Sequence, residues 1–584
     1  MQHSPIESRD SDETNAPTVG PADAPDDDAA PRVGAVPGLP LAGGVEPGES
    51  KEAFAPLTAT SALARGESER LNAAASAKYA TEDYAGAIEP LRRVLNLNPD
   101  SAAAHNNLAI ALWRAQRLSE AELHCRRALA LGAEYVPAYK LMAEMLRQRN
   151  DAAGALAFYD RIVALDPKGP MAHNNAGLVL RNLGRFDEAE AAFKRALALK
   201  PDDPGVRFNV LMMRRDDSGL AEAIACCRGS LEQSPDNVDV LTNLAVVLLQ
   251  VGDYDQALAH FERAARLKPN NYSTRANMSL LLLMLGEYER GWSEYEHRWD
   301  LFEVTKPKFA QPLWQGEQLN GRTILLHHEQ GLGDTIQCLR YVPMVAARGG
   351  RVVLRLERTL VRLAASLAEN IVISPPRAPL PAFDVWSPLL SLPRLFGTRV
   401  ETIPANVPYL GVRPPIIERW RRRLDGVAGL RVGLVWGGSP RHLNDFRRSV
   451  DLARLRPILD VPGVSFVSLQ VGPRAADLAA LPTGAMVDLS AELTDFSETA
   501  GAMMNLDLII AVDTAVVHLA GSLARPTWVM MPFTPDWRWM IGREDNSWYP
   551  TLRLYRQSAP SDWDGVIARV AADLAALAAQ QPRR

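Results

Sequence analysis

The chain has 584 residues, 47% hydrophobic and 23% charged, with a formal net charge of −5. That length exceeds what one hydrophobic core serves, and the mild acidity without a long basic run speaks against a nucleic-acid partner. Cys125, Cys226, Cys227 and Cys338 show neither C-x-x-C spacing nor a zinc-type His partner, and no apolar run reaches the roughly 18 residues of a membrane span, so a cytoplasmic location without disulfides or structural zinc is expected.

Residues 1–67, with runs such as "GPADAPDDDAAPRVGAVPGLP", carry few large apolar side chains and no periodicity, which predicts a disordered tail. A repeat occupies 68–302. Pro99, Pro167, Pro201, Pro235 and Pro269 are 34 residues apart, or twice 34 across the gap where Ala133 stands. Each proline ends a helical run such as "AFKRALALKP", as the stop of the second helix in a pair. A 34-residue helix–turn–helix period is the tetratricopeptide (TPR) signature, with Gly177, Ala189 and Ala196 at close-packing positions. Seven units are predicted. The last, "ANMSLLLLMLGEYERGWSEYEHRW", lacks the proline and carries Trp292 and Trp299, as a capping repeat docked on the C-terminal region would.

Asn107, Asn175, Asn209, Asn243 and Asn277 each precede the terminal proline position by 26 residues, on the first helix of a unit. A row of amides along a solenoid groove can hydrogen-bond an extended peptide backbone without reading its sequence. The alternative is that Asn is simply frequent at this position. The row resembles that of the O-linked N-acetylglucosamine transferases, in which a TPR superhelix delivers protein acceptors to a fused transferase.

After Trp299 short apolar strands alternate with helix-length segments. "RTILLHHE", "RVVLRLE" and "NIVISP" form one series in 303–415. "RVGLVWGG", "VSFVSLQVG", "AMVDLS" and "LDLIIAVD" form a second in 416–584, beyond the Pro-rich "ETIPANVPYLGVRPP". Such alternation predicts two parallel-sheet α/β halves with ligands beyond the C-terminal strand ends, the layout of a GT-B glycosyltransferase.

Three strand ends carry candidate chemistry. In "LLHHEQGLGDTIQCLRY", Gly331 and Gly333 leave room for close approach, and Asp334 stands at a helix start, either as an N-cap or as a base for an acceptor hydroxyl. In "LIIAVDTAVVHLAGSLARPTWVMMP", Asp513 and Thr514 open a helix bearing His518, a place for a phosphate, or else a capped helix with a core histidine. In "GLVWGGSPRHLNDFRRSVDL", Trp436 ends a strand and Ser439, Arg441, His442, Arg447, Arg448 and Ser449 come after it, with arginines suited to a departing nucleotide or to plain solvent exposure. Trp537, Trp539 and Trp548 either stack on a ligand or seal the junction with the repeats. The sole D-x-D of this half, Asp562–Asp564, opens the last helix and reads as a cap, so no metal site is expected.

From about Trp314 to Tyr555 the chain resembles the heptosyltransferase-related domain fused to TPR repeats in bacteria. The pieces that carry the likeness are "EQGLGDTIQCLRY", "GLVWGGSP…DFRRSVDL", "DTAVVHLAGSLARPTWVMMP" and "PDWRWMIGRED". The resemblance implies an inverting transfer with Asp334 as base. It implies donor contacts from Gly331, Gly333, Trp436, Ser439, Arg447, Arg448, Asp513, Thr514 and His518, with Ala515 where the family has Gly. The layout is also similar to flagellin glycosyltransferases that attach a nonulosonic acid. A protein O-glycosyltransferase using a nucleotide sugar, with no cofactor and with flagellin among its implied acceptors, is the leading expectation. A scaffold with a degenerate transferase domain and a glycan- or lipid-directed enzyme are the alternatives.

Overall fold

The computed structural model describes residues 62–580, apart from 82, 150, 214–217, 302–306, 308, 330, 368–370, 377, 441 and 443. Residues 1–61 of the expected tail therefore lie outside the described residues; helix begins at Ala62, inside the predicted tail boundary.

Fourteen helices, from Ala62–Ala80 to Tyr288–Tyr295, form seven consecutive hairpins among the described residues. Local chemistry starts and stops them. Asp83, Asp151 and Asp253 accept backbone N–H bonds as N-caps, and each repeat proline lies two residues beyond the end of a second helix. Gly177 shows how tightly the hairpins close: a Cβ there would sit 2.7 Å from Cε1 of the buried Phe193. Replacing Gly177 by Ala is expected to cost about 1–3 kcal/mol through overpacking, read as a lower thermal midpoint. An unchanged midpoint would show that the hairpin opens freely there.

Two all-parallel sheets succeed the hairpins. The first comprises β1 (Thr323–His327), β2 (Arg351–Arg355), β3 (Ile371–Ser374) and β4 (Val385–Pro388), in the order β3-β2-β1-β4. The second comprises β5 (Leu430–Val435), β6 (Val464–Ser468), β7 (Val487–Asp488), β8 (Leu508–Val512), β9 (Thr527–Met531) and β10 (Leu552–Arg556), ordered β10-β9-β8-β5-β6-β7. In both, the chain reverses direction of winding beside the first strand, at β1/β4 and at β5/β8. Crevices open at the C-terminal strand ends of such switch points, which is where the loops after β1, β5 and β8 lie.

The apolar runs of the sequence do not announce β4, β9 and β10. β4 ends in proline, β9 is embedded in a run that also reads as a motif, and β10 alternates charge with apolar residues at a sheet edge.

The last hairpin does dock on both α/β halves. Tyr288, Trp292 and Tyr295 share one core with Trp314 and Ile336 of the first half and with Trp537, Trp539 and Trp548 of the second. Trp292 Nε1 donates to Thr398 O at 3.1 Å, and its ring meets Trp537 edge-on at 5.1 Å. Trp548 Nε1 donates to the Tyr288 hydroxyl at 3.0 Å. The three C-terminal tryptophans are buried, so they seal this junction and are not free to stack on a ligand.

Candidate functional site

The loop after β1 leads into the helix Leu332–Cys338, whose N-cap is Gly331. Asp334 is the third helical residue and does not cap. Instead its Oδ1 pairs with Arg538 Nη2, joining the first α/β half to the second. Arg538 is buried against the Trp537 ring, 4.4 Å from its centroid; Nη1 donates to Asp536 Oδ1 at 2.5 Å and Nε to Gln337 Oε1 at 2.6 Å. Asp334 is thus a positioned carboxylate with its charge partly neutralised. Gly333 serves packing rather than ligand approach, because a Cβ there would lie 2.7 Å from His518 Cδ2 and 3.5 Å from Ala515 Cα. Gly331 is exposed and faces Asp334 Oδ2.

At the end of β8, Asp513 leads to Thr514, the N-cap of the helix Ala515–Ser522. The Thr514 hydroxyl makes no capping bond; it is buried and has no hydrogen-bond partner. Burial pushes Asp513 above the ordinary aspartate range, with Arg448 and the Trp539 indole opposing, and burial with Asp513 pushes Asp536 up. His518 cannot act as a cation for phosphate. It is buried, its Nδ1 meets the Tyr549 hydroxyl at 3.0 Å, and burial, helped by Arg340, lowers its pKa to about 3. Because the fold excludes this proton, its stability is intact above about pH 6.5 and falls as the unfolded chain takes up the proton below that. The fall in thermal midpoint between about pH 6.5 and 4.5 should therefore be shallower in His518→Gln than in the parent, and parallel curves would contradict the assignment.

The loop after β5 corrects two further expectations. Trp436 is fully buried and its indole N–H donates to Asp477 Oδ2 at 2.9 Å, so it belongs to the core and not to a donor pocket. Arg447 Nη1 donates to Gln250 Oε1 at 2.5 Å, on the sixth hairpin, which makes it a contact to the repeats. Arg448 faces inward beside Asp445, and its charge bears on Asp513, Asp536 and His442. Ser439 is exposed, and Ser449 bonds Asp445 Oδ1 at 2.8 Å. Arg441 lies outside the described residues.

The amide row is also placed differently. Asn107, Asn209, Asn243 and Asn277 are 0, 1, 3 and 0% exposed, and only Asn175 is half-buried. Neighbouring hairpins approach closely enough to cover the position: Asn209 Nδ2 donates to Asn174 Oδ1 at 2.9 Å across two units. An open row along a groove is not what is found, although Asn209 Oδ1 and Asn243 Oδ1 are buried without a partner.

Two groups near the site carry no local sequence signal. Arg298, at the end of the solenoid, donates to both oxygens of Glu329 at 2.8–3.0 Å, and its Nη2 reaches the Ser391 hydroxyl at 2.8 Å. Glu329 is in the same loop as Gly331, so the repeats hold that loop directly. Arg340 lies 4.7 Å from the ring centroids of Tyr409 and Tyr549 and donates to Pro404 O and Trp548 O, stitching the two α/β halves. Asp562 accepts from Gly565 N at 2.9 Å, a helix cap, and Asp564 pairs with Arg454 at 2.8 Å. Among the described residues no group of three or more His, Cys, Asp or Glu side chains is placed to hold a metal ion, and no helix is long and apolar enough to cross a membrane.

Residues 72–136 and 140–204 match the tetratricopeptide repeat family, and residues 175–275 match the cytochrome c-type biogenesis protein H TPR domain. Protein FlbA of Caulobacter vibrioides is 29% identical over 321 residues, covering 50% of this chain and 52% of that protein. The chain thus spans about half the length of the curated relative it matches. Among solved structures, a tetratricopeptide repeat protein from Parabacteroides merdae covers 40% of this chain and 93% of its own, at 18% identity and TM-score 0.34. YrrB, a TPR protein with an unusual peptide-binding site, covers 32% of this chain and 95% of its own, at 21% identity and TM-score 0.24. The tetratricopeptide repeat matches and the seven helical hairpins make the N-terminal half a helical TPR-like solenoid, and the C-terminal region consists of parallel sheets and helices.

Proposed function

We propose that the chain is a protein O-glycosyltransferase of GT-B type, taking sugar from a nucleotide-activated donor to a Ser or Thr hydroxyl of a protein held by the repeats. One observation carries this reading. The segments after β1 and β8, at the switch points of the two parallel sheets, meet where Gly333 packs on His518 and Ala515; beside them Asp334 pairs with Arg538 of the loop after β9, and the solenoid touches the loops after β1 and β5 through Arg298–Glu329 and Gln250–Arg447. A protein bound by the repeats would be delivered to that junction.

Asp334 takes the proton of the acceptor hydroxyl as its oxygen attacks the anomeric carbon. The bond from that carbon to the phosphate oxygen breaks, and the nucleotide leaves with the electron pair. Arg448 and the Thr514 hydroxyl stabilise the phosphate; no cofactor or metal takes part. Inversion, and flagellin as the acceptor, rest on the family resemblance. The unpartnered carbonyl oxygens of Asn209 and Asn243 would accept peptide N–H groups once the groove opens.

A second reading, a binding scaffold without transferase activity, is favoured by the engagement of Asp334 with Arg538 and by the packing of Gly333 on His518. Intact masses of proteins from cells with and without this chain separate the two. Loss of a glycosyl increment from one protein supports the transferase, and identical masses throughout support the scaffold.

A further inference from the structure

The turn after β5 passes through Gly437 and Gly438, and two guanidinium groups close over it. A Cβ on Gly437 would lie 2.1 Å from Arg474 Cδ, and one on Gly438 would lie 2.6 Å from Arg448 Nη2. Neither glycine could carry a side chain without displacing an arginine. Both cations are held by one buried carboxylate. Arg474 Nη2 pairs with Asp445 Oδ2 at 2.7 Å, and Arg448 Nε stands 3.6 Å from Asp445 Oδ1, too far for a hydrogen bond. Asp445 is fixed in turn by the Ser449 hydroxyl at 2.8 Å, whose oxygen accepts from Gly438 N at 3.0 Å.

Besides Asp445, Asp513 and Asp536 lie within reach of the Arg448 charge, and the Nε atoms of Arg448 and Arg474 are buried without an acceptor. A buried unsatisfied donor is costly, and a loop that needed only an anchor would use one cation. The pair sits at the C-terminal end of β5, next in the sheet to β8, two residues beyond which stands the unpartnered Thr514 hydroxyl. Three sets of donors lacking acceptors at adjacent strand ends describe a place for a compact anion with several oxygens.

We propose that Arg474, together with Arg448, forms a clamp for a nucleotide phosphate, with Asp445 as the positioning residue that aims both guanidiniums. The assignment of that phosphate to a sugar donor rests on the transferase reading; the clamp itself binds the bare nucleotide whether or not sugar is transferred.

The test is calorimetric titration of the full chain with uridine diphosphate, cytidine monophosphate and inorganic pyrophosphate. The parent chain is expected to bind at least one of them, and Arg474→Ala to weaken that binding about 10- to 100-fold, the scale of a lost charge-assisted contact. Arg474→Lys should lose less. Arg456→Ala, which removes an exposed arginine paired with Asp460, should bind as the parent does. Arg474 is partly exposed, so its truncation spares the core; Arg474→Gln carries the same expectation if the alanine variant does not fold. Parental affinity in the Arg474 variants, or no binding of any of the three anions by the parent, overturns the clamp. Normal nucleotide binding without sugar transfer to any protein would sink the transferase reading and leave the clamp standing.

Discussion

Asp334→Asn is expected to lower sugar transfer about 100- to 10,000-fold while nucleotide and acceptor binding persist, the scale of a lost general base. Asn keeps the size of the side chain and the helix geometry at Gly331–Cys338, and Arg538 retains Asp536 and Gln337 as partners. The change therefore removes the carboxylate charge and little else. The loss should fall on the turnover rate and not on the substrate concentration that half-saturates it, because the base acts in the chemical step. Undiminished turnover in this variant would reduce Asp334 to a structural counter-ion of Arg538.

The largest effect on stability is expected at the other end of the same loop. The side chains of Arg298 and Glu329 are 1% and 2% exposed, so Arg298→Met leaves a carboxylate buried without its cation, a loss of about 3–5 kcal/mol. Burial already raises Glu329 to about 7 with Arg298 opposing, and loss of Arg298 raises it further. A carboxyl group raised in the folded state is penalised fully above its folded pKa and not at all below its unfolded value. The variant should therefore be least stable in mild alkali and recover as pH falls toward about 4.5, where Glu329 takes a proton in both states. The double change Arg298→Met with Glu329→Gln should recover most of the loss at neutral pH. Calorimetric midpoints of the parent, both single variants and the double across pH measure this. Equal losses in Arg298→Met and the double variant would show that the two side chains are not coupled.

The repeats are legible in the sequence because prolines on a 34-residue period, interrupted at Ala133, and small packing residues such as Gly177, Ala189 and Ala196 are local facts. The strands β1, β5 and β8 are legible as apolar runs, and the positions of Asp334, Asp513 and Thr514 derive from those strand ends. The features that escape a sequence reading depend on partners far along the chain. Arg538 lies within "PDWRWMIGRED", yet its partner Asp334 is 204 residues away, and nothing near either residue announces the other. Trp436, His518 and the asparagine row carry polar atoms that suit a ligand; only the packing around them shows that core contacts or neighbouring hairpins cover them. Arg474 comes after a Gly-Pro turn that reads as an ordinary loop, and its place over Gly437 emerges only when β5 and β6 pair. Burial separates these cases, and burial is a property of the assembled sheets and hairpins.

Transfer itself is the most direct measurement. The purified full chain, an acceptor protein identified by its mass change in cells, and a nucleotide sugar are mixed, and the intact mass of the acceptor is monitored with time. The transferase reading predicts an increase of one glycosyl residue per modified site, matched by released nucleotide and lost in Asp334→Asn. An acceptor that binds the repeats but gains no mass with any nucleotide sugar offered would contradict it.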